Sequence, residues 1–185
     1  MTSRGTPRRP ETGRTGTCAF LAMMLLIAPG PVMLYQGEER GLRQPSLPKS
    51  AITDPYDLLY WPDMPGRDGA RVPIPLGRRR RAGLYDRRPM AADGLGVSVT
   101  VQDAGADSNL AFYRRAAAFR RDRLGDLTLQ DWSQDGEAIR LLYPGVEVVL
   151  NFGQAPVGAR PEPDFCSAEI EGASLPARTG AVWLD

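Results

Sequence analysis

Two adjacent carboxylates, Glu38 and Glu39, close the stretch PVMLYQGEERG, Pro31 to Gly41, and their setting suggests chemistry. A short β-forming run, Val32 to Tyr35, stops at Gln36 and Gly37 immediately before them. A strand that ends in acids can deliver acid–base groups to the rim of a sheet. It can equally be a buried strand surfacing into a solvated loop. The remaining inventory is restrictive. The chain has no histidine, which removes the commonest general base, any histidine-containing triad, and most zinc and haem chemistry. Cys18 and Cys166 lie far apart and match no metal spacing. Two free thiols in a reducing compartment is the simpler reading, with a disulfide left open. No metal and no cofactor are expected. The run Arg78 to Arg81 could suggest nucleic acid, but without interleaved aromatics it reads as a solvated face, so no nucleic-acid partner is expected.

Several elements must position these groups. The 185 residues suit one ordinary domain or two small ones. The net charge of +1 conceals an asymmetry: Met1 to Ala92 holds 15 basic and 8 acidic residues, and Asp93 to Asp185 holds 8 and 14. Met1 to Gly16 is Arg, Thr, Gly and Pro without apolar period, and reads as disordered. CAFLAMMLLIA, Cys18 to Ala28, follows four arginines as a signal-peptide core would. It is too short to span a bilayer, which needs about 20 residues, and no small-x-small cleavage site follows. The alternative is a core helix, Thr17 to Ala28, stopped by Pro29 and Gly30. On that reading the chain is cytoplasmic and has no membrane partner.

Gly37 to about Ala106 is irregular, rich in Pro, Gly and Arg. Asp107 to Gly125 then reads as a helix, capped by Ser108 or Asp107 and ended by Gly125. Phe112, Ala116 and Phe119, flanked by Tyr113 and Ala117, form its apolar face. Beyond it the period shortens. Leu127 to Trp132, Ala138 to Tyr143, Val146 to Phe152 and Ala181 to Leu184 are β-rich runs, with a hairpin marked by Gly145.

Several of these stretches together resemble one family. PVMLYQGEE followed by DPYDLLYWPDMPGRDGARVPIP is similar to the C-terminal part of an α-glucosidase of glycoside hydrolase family 13, the α-amylase superfamily. The helix SNLAFYRRAAAFRR, the run VVLNFG and the ending LPARTGAVWL continue the resemblance, which covers roughly Phe20 to Asp185. The resemblance implies an α/β plus β fold: the last strand–helix portion of a truncated TIM (β/α)8 barrel, then a small antiparallel β-sandwich-like C-terminal domain. The expected division is a disordered leader 1–16, a barrel slice 17–124 and a β-domain 125–185.

The resemblance also assigns roles. Tyr35, Gln36, Glu38 and Glu39 would stand at the barrel rim as structural residues, since the family's catalytic Asp, Glu and Asp follow earlier strands. A retaining glycosidase needs two carboxyl groups about 5 Å apart across one sugar ring, and two neighbouring loop glutamates cannot be aimed at opposite faces of one bond. Arg67 and Asp68 match the family's RD loop, which shapes a sugar subsite. The planar guanidinium of Arg67 can hold two sugar hydroxyls, or it can close a loop clamp on Asp63 or Asp68. The chain departs from the family pattern after Arg71, where Val72 to Leu76 replace a Thr-Pro-Met and Trp sequence. The implied function is the C-terminal part of an α-glucosidase, inactive alone, with an α-glucoside oligosaccharide bound only when another chain completes the barrel. The alternative is a non-catalytic assembly module that complements such a chain. Self-association through the apolar helix is a further expectation.

Overall fold

The computed structural model describes residues 12–42, 47–63, 67–71, 74, 76, 98–125 and 127–185. The tetra-arginine run, the start of the leader and most of the departure after Arg71 lie outside these residues. The chain divides into two compact units, one formed by Met1–Val32 with Tyr113–Asp185 and one by Met33–Phe112.

In the first unit the leading element is the helix α1, Thr12–Ile27. It begins five residues before the expected start, so Thr12 to Gly16 are helical rather than disordered. Once the apolar run has nucleated a helix, each further turn upstream needs only one hydrogen bond per residue fixed. Ala19, Phe20, Ala22, Met23, Leu26 and Ile27 are its buried positions, and Leu21 is exposed.

The sheet that covers this face is antiparallel with strand order β1-β2-β3-β7-β5. Its strands are β1 (Asp131–Asp135), β2 (Ala138–Tyr143), β3 (Val146–Asn151), β5 (Phe165–Cys166) and β7 (Thr179–Leu184); β4 (Val157–Gly158) and β6 (Ser174–Leu175) form a separate pair. The β2–β3 hairpin turns on Pro144 and Gly145, with Gly145 at φ 67. Proline followed by a glycine at positive φ is the order a type II turn requires.

β1 differs from the expected Leu127 to Trp132. Its register closes on a two-residue turn, Gly136 and Glu137, that pairs Asp135 with Ala138. The polar residues Ser133 to Asp135, which look like turn residues in sequence, therefore form a wholly exposed edge strand. The two-residue strands β4, β5 and β6 are too short for any period to announce.

Side chains alternate across β3 and β7, so each sheet face has its own cover. On one face Val149, Leu175, Ala181 and Trp183 are buried together, with Val157, Ala159, Cys166 and Ile170 packed against them. On the other, α1 approaches Gly180 so closely that a Cβ there would lie 2.8 Å from Leu150 Cδ2 and 2.9 Å from Met23 Sδ. Phe20 meets Phe152 edge-on at 5.2 Å between ring centres. Tyr143 donates its hydroxyl to the Ile27 carbonyl at 3.2 Å.

The helix α4, Asn109–Phe119, has Ser108 as its cap: the hydroxyl oxygen accepts from the Ala111 amide at 3.1 Å. Its last turn, Arg120–Leu124, is π-helical and closes with Gly125 N donating to Arg120 O at 2.9 Å. Here Arg120 donates to the carbonyls of Leu26 (2.6 Å), Ala28 (2.8 Å) and Gly30 (2.5 Å). A cation on the open carbonyls of a helix end satisfies groups the helix itself cannot. Arg120→Ala is expected to lower this unit's stability by about 1.5 kcal/mol, because water can reach part of the freed end. An unchanged urea midpoint at constant slope would show that the clamp contributes nothing.

The second unit holds the segment expected to be irregular, and it is less so. Three 3-10 turns, Glu38–Arg40, Lys49–Ala51 and Asp68–Arg71, and the short helices α2 (Pro55–Tyr60) and α3 (Val99–Asp103) punctuate it. The expected strand Val32 to Tyr35 is not a strand, since no neighbour forms a ladder with it among the described residues. A run of β-forming residues still needs a partner to make a strand.

Candidate functional site

The residues predicted to touch sugar fall in the second unit, on a knot of three aspartates. Asp54 opens α2: one carboxylate oxygen accepts from the Tyr56 amide at 3.0 Å, and Pro55 occupies the first helical position, where its missing N–H is harmless. Its other oxygen accepts from Arg67 Nε at 2.9 Å. Arg67 itself is 73% exposed while Asp54 is 1% exposed, so a buried carboxylate holds a guanidinium that faces water.

Asp68 points the other way. It is 2% exposed, and its carboxylate accepts from the amides of Thr53 and Asp54, the latter at 2.7 Å, and from the Thr53 hydroxyl at 3.1 and 3.2 Å. Its own amide donates to Asp57 Oδ2 at 3.1 Å. Arg71 spans the knot, with Nη1 3.5 Å from Asp54 Oδ2 and 3.4 Å from Asp68 Oδ1. Arg67 and Asp68 are neighbours in sequence with opposite orientations. Arg67 is clamped, but to Asp54 rather than to Asp63 or Asp68.

The electrostatics follow from these contacts. The hydrogen bond from Arg67, then that from the Tyr56 amide, holds Asp54 below the usual carboxylate range against the effect of burial. Burial pushes Asp68 up, but the hydrogen bonds from Thr53, Asp54 and Arg71 together outweigh it, and the net shift is downward. Arg67 is raised by the hydrogen bond to Asp54 and then by its charge. Both acids are therefore anions at neutral pH, committed to donors within the loop, and neither is poised to give or take a proton. Among the described residues no cluster of His, Cys, Asp and Glu could hold a metal ion.

The rim residues serve their own turn. Gly37 at φ 94 and Gly41 at φ 64 bracket the Glu38–Arg40 turn. Glu38 accepts from the Tyr35 amide at 3.2 Å; Glu39 accepts from the Gly37 amide at 2.7 Å and from Arg40 Nε at 2.9 Å. Arg40 is 1% exposed, and its carbonyl accepts from Gln102 Nε2 at 2.9 Å. Tyr35 and Gln36 are exposed. The two glutamates are spent on backbone amides and an arginine, which leaves them no common target.

Sequence reasoning missed Asp54 and Asp57. The signal was present for the first, because an Asp before a Pro that begins a short apolar run is a helix-start pattern. Nothing local announces that Asp57, on an otherwise apolar helix, turns inward to reach Asp68.

The comparisons with known proteins agree with one another. A probable α-glucosidase of Rhizobium meliloti (strain 1021) is 36% identical over 105 residues, covering 55% of this chain and 19% of that protein. In structure, the chain superposes with a TM-score of 0.75 on an α-glucosyl transfer enzyme, XgtA, at 26% identity, covering 94% of this chain and 36% of the enzyme. It superposes with a TM-score of 0.70 on the trehalulose synthase MutB of Pseudomonas mesoacidophila MX-45, at 17% identity and covering 96% and 39%. A trehalose-6-phosphate hydrolase of Bacillus licheniformis gives the same score at 17% identity, covering 93% and 39%. The chain spans about a fifth of the curated relative it matches and less than two fifths of each of these enzymes. The family described as the catalytic domain of α-amylase matches residues 4–127, two thirds of the length, and the chain belongs to that family.

Proposed function

We propose that the chain is the C-terminal part of an α-glucosidase-type glycoside hydrolase, a slice of its TIM barrel with the following β-domain. It contributes a sugar-contacting arginine and no catalytic acid. The observation that carries this reading is the presentation of Arg67. A buried Asp54 fixes the guanidinium through Nε, and the two terminal nitrogens have no hydrogen-bond partner among the described residues. A pre-set planar fork with free N–H groups suits a pair of sugar hydroxyls, because little side-chain freedom is lost on binding. Asp68 shapes the same subsite from behind by fixing the turn that carries Arg67. The α-glucosidase likeness supports an α-glucoside as the ligand, with hydrolysis of the α-glucosidic bond as the activity of the completed enzyme.

Alone the chain is inactive on this reading. Glu38 and Glu39 are bound within their own turn, and Asp54 and Asp68 are low-pKa anions that cannot act as a general acid. The test has two parts. No release of glucose from maltose, isomaltose or a chromogenic α-glucoside is expected; turnover that scales with protein would reject the reading. With the barrel completed, maltose titrated by NMR should shift the Arg67 side-chain signals, and Arg67→Ala should weaken binding by about tenfold. An unaltered titration in the variant would remove Arg67 from the site.

A further inference from the structure

Helix α2, all six of whose residues are described, buries no apolar side chain. Its one buried residue is Asp57, while Tyr56, Leu58, Leu59 and Tyr60 are exposed, Leu59 at 73%. A helix this short does not stand in water on its own hydrogen bonds, and helices in proteins are normally held by a buried apolar face. What holds α2 instead is the turn that carries Arg67. The Asp68 amide donates to Asp57 Oδ2 at 3.1 Å, and the Asp68 carboxylate accepts from the amides of Thr53 and Asp54. Even this anchor is incomplete. Asp57 Oδ1 has no hydrogen-bond partner among the described residues, and a buried acceptor left open weakens the helix that carries it.

Asp54 joins helix and subsite. Its carboxylate is a rigid plane, with Oδ1 on the Tyr56 amide at 3.0 Å and Oδ2 on Arg67 Nε at 2.9 Å. Turning one oxygen away from its partner turns the other as well. Fixing Arg67 therefore fixes the cap that starts α2, and a wound α2 holds Arg67 in place. We infer that α2 is a conformational device coupled to the sugar subsite: winding of the helix sets Arg67, and a sugar on Arg67 winds the helix. Coupling of this kind is reciprocal, and an element of low local stability is the one that responds to it. The inference deepens the reading of Arg67 as a sugar-contacting residue and rests on it.

The test perturbs the helix away from the subsite, in the full chain without sugar. Leu59 has no polar side-chain group to offer the Asp54–Arg67 pair, and Leu59→Gly lowers helix propensity. Hydrogen exchange at the Leu58 amide, which donates to the Asp54 carbonyl at 3.0 Å, reports the helix. Exchange at Arg67 Nε–H reports the subsite. Leu59→Gly should quicken both by about threefold, and Leu59→Ala should quicken neither. In Asp54→Asn the single amide oxygen serves Tyr56 or Arg67 but not both, so Leu59→Gly should no longer reach Arg67. The inference is overturned if Arg67 is indifferent to Leu59→Gly, or if the effect persists undiminished in Asp54→Asn. With the barrel completed, bound maltose should slow exchange at the Tyr56 and Leu58 amides; maltose that binds without slowing them also overturns it. Maltose that fails to bind counts against the proposed function alone, because the first measurement decides the coupling without sugar.

Discussion

Asp68→Ala should unlock the second unit, with amide exchange at Thr53 and Asp54 accelerating by about a hundredfold or more. Both amides donate to the Asp68 carboxylate, and removing it strands two donors, the Thr53 hydroxyl and one contact of Arg71. Leaving such buried donors unpaired costs on the order of 3 kcal/mol. The effect should also depend on pH. Asp68 has a folded pKa below its ordinary value, so its contribution is fully present above the unfolded value, about 3.9. It is lost as pH falls through the lower folded value. Protection at Thr53, taken relative to intrinsic exchange, should therefore fall in acid below about pH 4 in the parent, and in Asp68→Asn it should be flat over the same range. Equal protection in Asp68→Ala and the parent would show that the turn stands without the carboxylate.

The second large effect is expected at the seam between α1 and the sheet. Met23 is fully buried, and its sulfur lies 2.9 Å from where a Cβ of Gly180 would stand. Met23→Ala leaves a hole that neither Leu150 nor the glycine can fill. Large-to-small changes at such sites cost roughly 2–5 kcal/mol. The converse, Gly180→Ala, crowds the same contact and should cost about 1–3 kcal/mol. Denaturant titrations of the two variants check both. A stabilised Gly180→Ala would mean that helix and sheet are less closely packed than described.

These particulars also show where sequence and structure parted. Strands β2 and β3 and their Pro-Gly hairpin were legible because alternation and a turn signal agree within a dozen residues. The helix cap at Ser108 was legible for the same local reason. What sequence could not supply was the neighbour. Val32 to Tyr35 has the composition of a strand and lacks a ladder among the described residues; α1 reads as an apolar core helix, and the strand it packs against, β7, lies far along the chain. Among the site residues, the RD pair was visible as a pattern but not as two opposite orientations. The difference comes from Asp54, thirteen residues before Arg67, and no period links them.

The seat of α1 has a consequence for the order of events on the ribosome. The helix is complete once Ile27 is made, yet Gly180, which it packs against, follows about 150 residues later. At roughly 5–20 residues per second the ribosome leaves that interval at about 8–30 seconds. For all of it Met23 lacks the strand that it packs against. A stop codon before β7 would release a chain in which the most apolar helix has lost that strand.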